Sequence, residues 1–470
     1  MNATVFLPEL AVMAMALLMF VVSMAKPNAQ RDFTLAVVLG AVVVAAGVAS
    51  LRSEGLLFFG TYRIDIFSQV FKIALGVGLL LAISVCLDFK GVDENLHGEY
   101  YTFMATGTLG LMMLVSSMEL LTMYVALELS SYSLYVMLPM RRGFAHDAEA
   151  SIKYVLFGAV SSCIMVFGLS FIYGLTHTTM LSEIMPQIPV LASQPLGLAA
   201  ILMTICGFFF KLTVFPFHAW APDVYQGAAN ETATFIATAP KVGAVALLLR
   251  LVTLAGVDGV GLVKVLIILS VASMTFGNLV AIVQKDLKRM LAYSSIAHAG
   301  YVIIGVLTLS ELGYMSSIYY IFGYLLMNFA VFMVVVKVSQ DGGNVSIEQL
   351  AGLYKRAPLL ALTLMLSLFA LAGIPPSVGF VGKWMLFTAA LEKGYLWLVI
   401  IAAANSTVSL YYYLCVVRAA YCMSPGDLPA VKIDMPTRVM SYVMIAAIVG
   451  VGVVPAPLIE MARSAARTLL

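Results

Sequence analysis

Apolar residues occur along the whole chain in long runs, and short polar segments separate one run from the next. A run of roughly 20 apolar residues crosses a hydrocarbon core of ~30 Å as a helix, which satisfies its own backbone hydrogen bonds. The pattern predicts about fourteen such spans. We expect them at 4–24, 33–51, 67–87, 101–116, 120–140, 152–175, 196–217, 233–254, 260–283, 291–309, 315–338, 358–391, 396–423 and 439–454.

The composition agrees with a chain that is mostly surrounded by lipid. Hydrophobic residues make up 62% of the 470 residues, charged residues make up 11%, and the mean hydropathy is +1.01. Soluble domains are about half apolar and about a quarter charged. The longest segments between predicted spans, 52–66 and 176–195, are too short and too apolar to form a soluble domain. We therefore predict an all-α polytopic membrane protein.

Charge and cysteine content exclude several classes of function. The 26 Lys and Arg residues nearly balance the 24 Asp and Glu residues, which argues against binding nucleic acid through bulk charge. No two cysteines form a C-x-x-C motif, so a zinc, iron–sulfur or disulfide framework is not expected. The sequence predicts that this chain itself binds no cofactor and no metal. The five cysteines are Cys86, Cys163, Cys206, Cys415 and Cys422.

The distribution of Lys and Arg predicts the orientation. The side reached after the first span holds 14 of the 26 basic residues, the opposite side holds 7, and 5 fall within spans. The richer side, which we call the basic face, is expected to be cytoplasmic. Both termini are then expected on the periplasmic side of a cell inner membrane.

Two of the lysines within spans lie close to a span end. Lys72 and Lys153 are each within one or two helical turns of a predicted boundary. A long lysine side chain in such a position carries its ammonium group to the membrane interface. We therefore expect both side chains to extend to the interface.

Four further charged residues lie too deep in their spans for that. A charge at mid-membrane costs at least ~2.5–3.5 kcal/mol. One carboxylate cannot compensate three ammonium groups, and an uncompensated buried charge is unfavourable. This imbalance favours proton exchange over a purely structural set of ion pairs, which remains the alternative. The four residues are Glu128, Lys211, Lys241 and Lys383.

Prolines interrupt the helices that carry these lysines. Proline removes a backbone donor and leaves carbonyl groups that need new partners. Discontinuous helices in corresponding positions of two halves are typical of transporters. We therefore predict that the seventh and twelfth spans are broken, and that the eighth is disturbed next to its lysine. The prolines concerned are Pro216, Pro240, Pro375 and Pro376.

The spans also suggest an internal repeat. If spans four to eight form one unit and spans nine to thirteen another, Lys211 and Lys383 occupy the same position in each unit. Glu128 then corresponds to the helix that carries His298, a residue able to relay protons. An odd number of helices per unit makes the two units inverted. The predicted domains are 1–99, 100–256, 257–423 and 424–470.

Several long motifs resemble those of a known family. They are GFFFKLTVFPFHAWAPDVYQGA at 207–228, EASIKYVLFGAVSS at 149–162, DLKRMLAYSSIAHAGY at 286–301 and AGIPPSVGFVGKW at 372–384. They resemble signatures of the antiporter-like membrane subunits of respiratory complex I, the bacterial NADH-quinone oxidoreductase, and the resemblance covers essentially the whole chain.

This resemblance implies proton translocation coupled to electron transfer from NADH to quinone. It implies that NADH, FMN, iron–sulfur clusters and quinone are bound by partner subunits of the membrane arm and the peripheral redox arm. The remaining partners are the lipid bilayer, protons and internal water, with no nucleic acid. The resemblance also assigns roles to particular residues: an acid–base pair of Glu128 and Lys211, a central lysine at Lys241, a relay at His298 and an exit lysine at Lys383.

Other functions stay open. The same helices occur in Na⁺/H⁺ antiporter subunits and in membrane subunits of related hydrogenases, and an inert scaffold is a third possibility. Glu128 is nearly alone as a mid-span carboxylate, whereas Na⁺ prefers several oxygen ligands, so protons are favoured. One segment departs from the family: where its members usually have prolines and a threonine, this chain has ANETAT at 229–234. This departure puts the stiffness of the expected loop in doubt.

Overall fold

The computed structural model describes residues 3–143, 146–254 and 260–470. The described residues are predominantly α-helical. The helices are α1 Leu7–Ser23, α2 Ala29–Ser50, α3 Ile66–Ser84, α4 His97–Ser116, α5 Leu120–Met137, α6 His146–Thr176, α7 Leu181–Ile184, α8 Ile188–Ser193, α9 Pro195–Leu212, α10 Trp220–Gly227, α11 Asn230–Ala237, α12 Ala239–Leu254, α13 Val260–Ala281, α14 Leu287–Val306, α15 Glu311–Val338, α16 Leu353–Arg356, α17 Pro358–Ala372, α18 Val378–Glu392, α19 Leu396–Cys422, α20 Met435–Val453 and α21 Ala456–Arg467.

A short antiparallel hairpin follows α2. Strands β1 Gly55–Leu57 and β2 Tyr62–Ile64 pair with Gly55 opposite Ile64. Short 3₁₀ turns lie at Ala3–Phe6, Phe58–Gly60, Val85–Asp88, Glu94–Leu96, Leu138–Met140, Met185–Gln187 and Glu348–Leu350.

The helices confirm the predicted membrane fold. In the described part of the chain, ten helical stretches are long and apolar enough to cross a membrane, and α1 and α17 are shorter apolar helices. Every one of the predicted spans contains an observed helix. The number of membrane crossings, the inverted repeat and the four domain boundaries stay predictions. The amphipathic helix α21 was not predicted, because polar residues alternate with the apolar residues that pack on α3 and α15, so the segment contains no long apolar run.

Burial separates central helices from those at the lipid-facing surface. In the apolar 18-residue segment of the stretch formed by α11 and α12, 94% of the residues are buried; the corresponding share is 89% in α15 and 22% in α20. Most helices of a membrane bundle contact lipid on one side, and only a few in the centre are surrounded by other helices. The two central elements therefore place Lys241 and the residues around it away from lipid.

The three predicted interruptions are confirmed. Helix α9 ends at Leu212, and Thr213 takes a left-handed conformation with φ +62°. Helix α17 ends at Ala372, followed by Gly373 with φ +89°, and α18 begins at Val378. Between α11 and α12, Thr238 is non-helical (φ −114°, ψ −84°). Each interruption lies within the helix pair that carries a predicted lysine.

Two predictions from the sequence are wrong. Lys72 does not reach the interface: its side chain is 0% exposed, and its Nζ lies 2.6 Å from Oε1 of the equally buried Glu9 on α1. The segment 229–234 is not a loop, since Asn230–Ala237 forms the buried helix α11. Lys153 does lie at a surface, where its Nζ is 2.7 Å from both Glu149 Oε1 and Asp223 Oδ2.

Candidate functional site

The ammonium group of Lys241 lies at the carbonyl end of the broken helix α9. Lys241 is in the first turn of α12 and is 2% exposed. Its Nζ donates to Thr213 Oγ1 at 2.6 Å and points to the Lys211 carbonyl oxygen at 3.5 Å. The face of the Trp220 ring is 5.5 Å away. The last carbonyl groups of a helix carry partial negative charge, so the end of α9 is a suitable partner for a cation.

Lys383 repeats this arrangement at the second broken helix. It lies on α18, and its Nζ donates at 2.9 Å to the carbonyl oxygen of Ala372, the last residue of α17. A second bond of 2.9 Å goes to Ser406 Oγ on α19, and the Tyr301 ring lies 4.7 Å away. The helix interruptions thus supply the free carbonyl groups that receive two of the buried lysines.

Lys211 and Glu128 lie on neighbouring helices without a direct ion pair. Lys211 Nζ donates to Ser131 Oγ at 3.2 Å, one turn along α5 from Glu128. Ser162 on α6 donates to Glu128 Oε1. No salt bridge joins Glu128 to Lys211 in the described structure, although both side chains are buried. Ser131 accepts the bond from Lys211 and donates to the Leu127 carbonyl oxygen, whereas Glu128 accepts its bond from Ser162, so the predicted acid–base pair is not in direct contact.

Both ring nitrogens of His298 are hydrogen-bonded to tyrosines. Nδ1 lies 2.6 Å from Tyr320 OH on α15, and Nε2 lies 3.2 Å from Tyr413 OH on α19. The Tyr413 hydroxyl also bonds Ser294, one turn before His298. A neutral imidazole has one donor and one acceptor nitrogen, and a hydroxyl serves either. The ring is therefore held in a conformation in which it can pass a proton from one side to the other.

Two cavities accompany this line of polar groups. A cavity of about 10 Å³, at the lower limit for one water molecule, lies between Lys241 and His298. Ser295 and Tyr324 also line it. A second cavity, of about 280 Å³, adjoins Lys383 and has room for several waters.

The structure brings the five predicted residues into one buried line. In its first part, Ser131 accepts a hydrogen bond from Lys211 and Thr213 accepts one from Lys241. The small cavity lies between Lys241 and His298, and the Tyr301 ring lies between His298 and Lys383. Among the described residues, no group of three or more His, Cys, Asp and Glu side chains could hold a metal ion.

Sequence reasoning missed the hydroxyl groups that connect these charges. They come from four different parts of the chain, and serine, threonine and tyrosine are too common in membrane helices for any spacing to single them out. Only the packing of helices distant in sequence selects them. They are Ser131, Thr213, Ser406, Tyr320 and Tyr413.

Ionic contacts at the basic face hold the segment that follows the break in α9. Asp223 on α10 accepts bonds from Lys153 Nζ on α6 at 2.7 Å and from Arg289 Nη1 on α14 at 2.6 Å. Partial burial favours the neutral carboxyl, but the bonds from Lys153 and Arg289 outweigh it and lower the pKa of Asp223. Asp223 therefore stays ionised at neutral pH and ties α10 to both helices.

Residues 117–409 match the family described as NADH:quinone oxidoreductase/Mrp antiporter, transmembrane. The chain belongs to this family. A relative named NADH-quinone oxidoreductase subunit N 2, from Syntrophobacter fumaroxidans, is 47% identical over 100% of both chains. The family relationship therefore includes the N-terminal and C-terminal helices outside the matched region.

Solved structures share the fold over nearly the full length. A chain of respiratory complex I from Thermus thermophilus has 29% identity and a TM-score of 0.83, covering 96% of this chain and 98% of that one. A chain of the Mrp complex from Dietzia sp. has 19% identity and a TM-score of 0.89, covering 100% and 98%. The second likeness concerns the fold alone. This chain is thus a subunit of the complex I type, with the fold of the complex I membrane arm.

Replacing Tyr320 by phenylalanine is expected to slow proton translocation about fivefold. The change removes the shorter hydrogen bond to His298, and a net loss of about 1 kcal/mol corresponds to that factor. The measurement is the initial rate of NADH-driven acidification in inside-out vesicles, normalised to subunit content. Tyr319→Phe is the matched control, because the Tyr319 hydroxyl bonds the Val451 carbonyl at 3.2 Å, away from the line. Equal rates in the two variants would contradict a relay through His298.

Proposed function

We propose that this chain translocates protons in the membrane arm of an NADH:quinone oxidoreductase and carries no redox group of its own. The observation that supports it most directly is the repeated arrangement of Lys241 and Lys383. Each buried ammonium group lies at the carbonyl end of an interrupted helix, within one line of polar groups. The relatives named NADH-quinone oxidoreductase subunit N support the same proposal.

The proposed path begins at Glu128 and Lys211. When a neighbouring subunit moves or changes charge, the attraction between Glu128 and Lys211 changes, and with it the preference of Lys211 for its proton. Lys241 is the next base, since its Nζ is bonded to Thr213 directly after the end of α9. Lys211 and Lys241 repel each other when both are charged, which favours passing a proton on over holding one on each amine.

The second half of the proposed path runs from Lys241 to Lys383. A water in the small cavity would carry the proton to His298, whose two tyrosine partners allow uptake on one nitrogen and release from the other. Lys383 then receives the proton. The cavity of about 280 Å³ beside Lys383 holds enough water to take it to the exit side.

The proposal includes the partners implied by this role. NADH, FMN, iron–sulfur clusters and quinone would be bound by other subunits, and the electrons would not enter this chain. Contacts are expected with other membrane-arm subunits and, through them, with the peripheral redox arm. We place the chain in the cell inner membrane with both termini on the periplasmic side.

A second candidate is a subunit of a Na⁺/H⁺ antiporter. The likeness to the Dietzia Mrp complex supports it at the level of fold. The line described above contains a single carboxylate, Glu128, and Na⁺ sites generally need several oxygen ligands. Protons are therefore the better supported cargo, and a membrane subunit of a related hydrogenase remains a further alternative.

Purification of the tagged chain from its native membranes separates these functions. We expect it to copurify with flavin- and iron–sulfur-containing subunits. Vesicles that contain the complex should acidify internally on addition of NADH, at a rate independent of Na⁺. A complex of membrane subunits alone, with proton movement that requires Na⁺, would contradict the proposal and favour the antiporter.

A further inference from the structure

Glu231 is a buried carboxylate that the line described above does not use. It is the second residue of α11, in the segment where this chain departs from its family, and it is 2% exposed. Its Oε2 has no hydrogen-bond partner in the part of the chain that the structure describes. A buried carboxylate oxygen without a partner is costly unless it is protonated or meets water. Glu231 is therefore expected to bind a proton or a water molecule.

The cations near Glu231 attract its carboxylate and also bond the backbone that precedes α11. Lys288 Nζ on α14 donates to the Ala228 carbonyl oxygen at 2.6 Å. The guanidinium group of Arg141 donates at 2.8 Å to the Gly227 carbonyl oxygen. Both bonds fix the chain just before α11. The charged or titratable groups that interact electrostatically with Glu231 are Lys90, Arg141, Lys288, Cys86, Tyr100 and Tyr101.

Glu231 lies one residue layer below the basic face. A Cβ atom added to Gly91 would be 2.7 Å from Glu231 Oε2, so the carboxylate touches the backbone of the loop after α3. The neighbouring Lys90 is exposed, whereas Gly91 itself is buried. The carboxylate thus sits directly beneath the aqueous surface, and the absence of a side chain at residue 91 leaves it the space to do so.

Among the described residues, buried polar groups without hydrogen-bond partners lie next to Glu231 and next to Lys241. Asn230 Oδ1 and the hydroxyl groups of Tyr225 and Tyr324 are buried and have no hydrogen-bond partner in the described structure. Tyr324 lines the small cavity beside Lys241. Ten residues of nearly continuous helix separate Glu231 from Lys241, roughly 15 Å along the axis. Unpartnered buried polar groups are the usual sites of ordered water.

We propose that Glu231 takes up protons at the basic face and supplies them to Lys241. In this step the carboxylate accepts a proton from a hydronium ion at the surface, which leaves a water molecule. The carboxylic acid then gives a proton to water on the inner side, and the neutral amine of Lys241 accepts it from that water. The positive charges of Lys288 and Arg141 favour the anionic carboxylate, so the protonated acid gives up its proton and Glu231 returns to its anionic form. This inference rests on the proton-translocating function proposed above.

The variant Glu231→Gln tests this step in the intact complex. Since Oε2 has no hydrogen-bond partner in the described structure, the change should not prevent folding, and Glu231→Leu provides a second variant that removes the polar group as well as the charge. We expect both to accumulate and to lower NADH-driven proton translocation at least fivefold. The remaining rate should fall more steeply between pH 6 and pH 8 than that of the unchanged protein, because uptake then depends on free hydronium ions. Glu231→Asp should recover most of the rate.

Glu94→Gln is the matched control, since Glu94 is an exposed carboxylate on the same face. It should leave the rate and its pH dependence unchanged. Full proton translocation in Glu231→Gln or Glu231→Leu would overturn the inference, and so would a loss that is equal at every pH. Lys211→Ala in the same assay separates the two proposals: if it is inactive while Glu231→Gln is fully active, only the role of Glu231 fails.

Discussion

Replacing Lys211 by alanine is expected to reduce NADH-driven proton translocation at least tenfold, to the background of the assay. Lys211 is the base between Ser131 on α5 and the Thr213–Lys241 contact, and it is 2% exposed. Without its amine, the proposed path loses the base between Glu128 and Lys241. The helix should still insert, because alanine is apolar and favours helix formation. The measurement is proton uptake by inside-out vesicles, with the amount of assembled complex determined in parallel.

Lys264→Ala is the control for the loss of a lysine as such. Lys264 is an exposed residue of α13 and lies outside the buried line. Its replacement should leave proton translocation unchanged. Normal translocation in Lys211→Ala, with the variant chain present in the complex, would refute the proposed path.

Replacing Lys72 by methionine is expected to destabilise the subunit by about 3–5 kcal/mol, because it leaves Glu9 buried without its counter-charge. Both side chains are 0% exposed, and Glu9 otherwise accepts a bond from Tyr62 OH. A loss of this size should remove most of the chain from the membrane. The measurements are the amount of chain in washed membranes and the thermal unfolding midpoint of the detergent-solubilised complex.

The double variant Glu9→Gln with Lys72→Met tests the physical reason. Removing both charges leaves no unpaired ion, so accumulation should return to near the level of the unchanged protein. If the double variant is as unstable as Lys72→Met, the effect comes from packing and not from charge. If Lys72→Met is itself stable, the ion pair has no structural role.

The positions of the helices and of their interruptions could be predicted from the sequence. Span length follows from the thickness of the bilayer, and a proline inside an apolar run interrupts the helix or starts a new one, so both are local properties. The candidate residues Glu128, Lys211, Lys241 and Lys383 were recognisable for the same reason, since a charge in the middle of an apolar run is visible without knowledge of the fold.

The partners of these residues depended on tertiary structure. The interruption in α17 was predictable, but that Lys383 meets the Ala372 carbonyl and Ser406 follows from the packing of α17, α18 and α19. The environment predicted for Lys72 was wrong, because a position near the end of a span does not reveal that Glu9 lies on the facing helix α1.

The buried position of Glu231 also could not be predicted from the sequence. Its polar neighbours in ANETAT resemble a loop, yet the segment is a buried helix, because distant loops and the cations of α14 enclose it.

Hydrophobicity along the chain determined which segments enter the membrane. Which buried charges face each other, and which remain without a partner, was decided only when helices far apart in sequence packed together, since Coulomb and hydrogen-bond energies depend on distances that no local pattern contains.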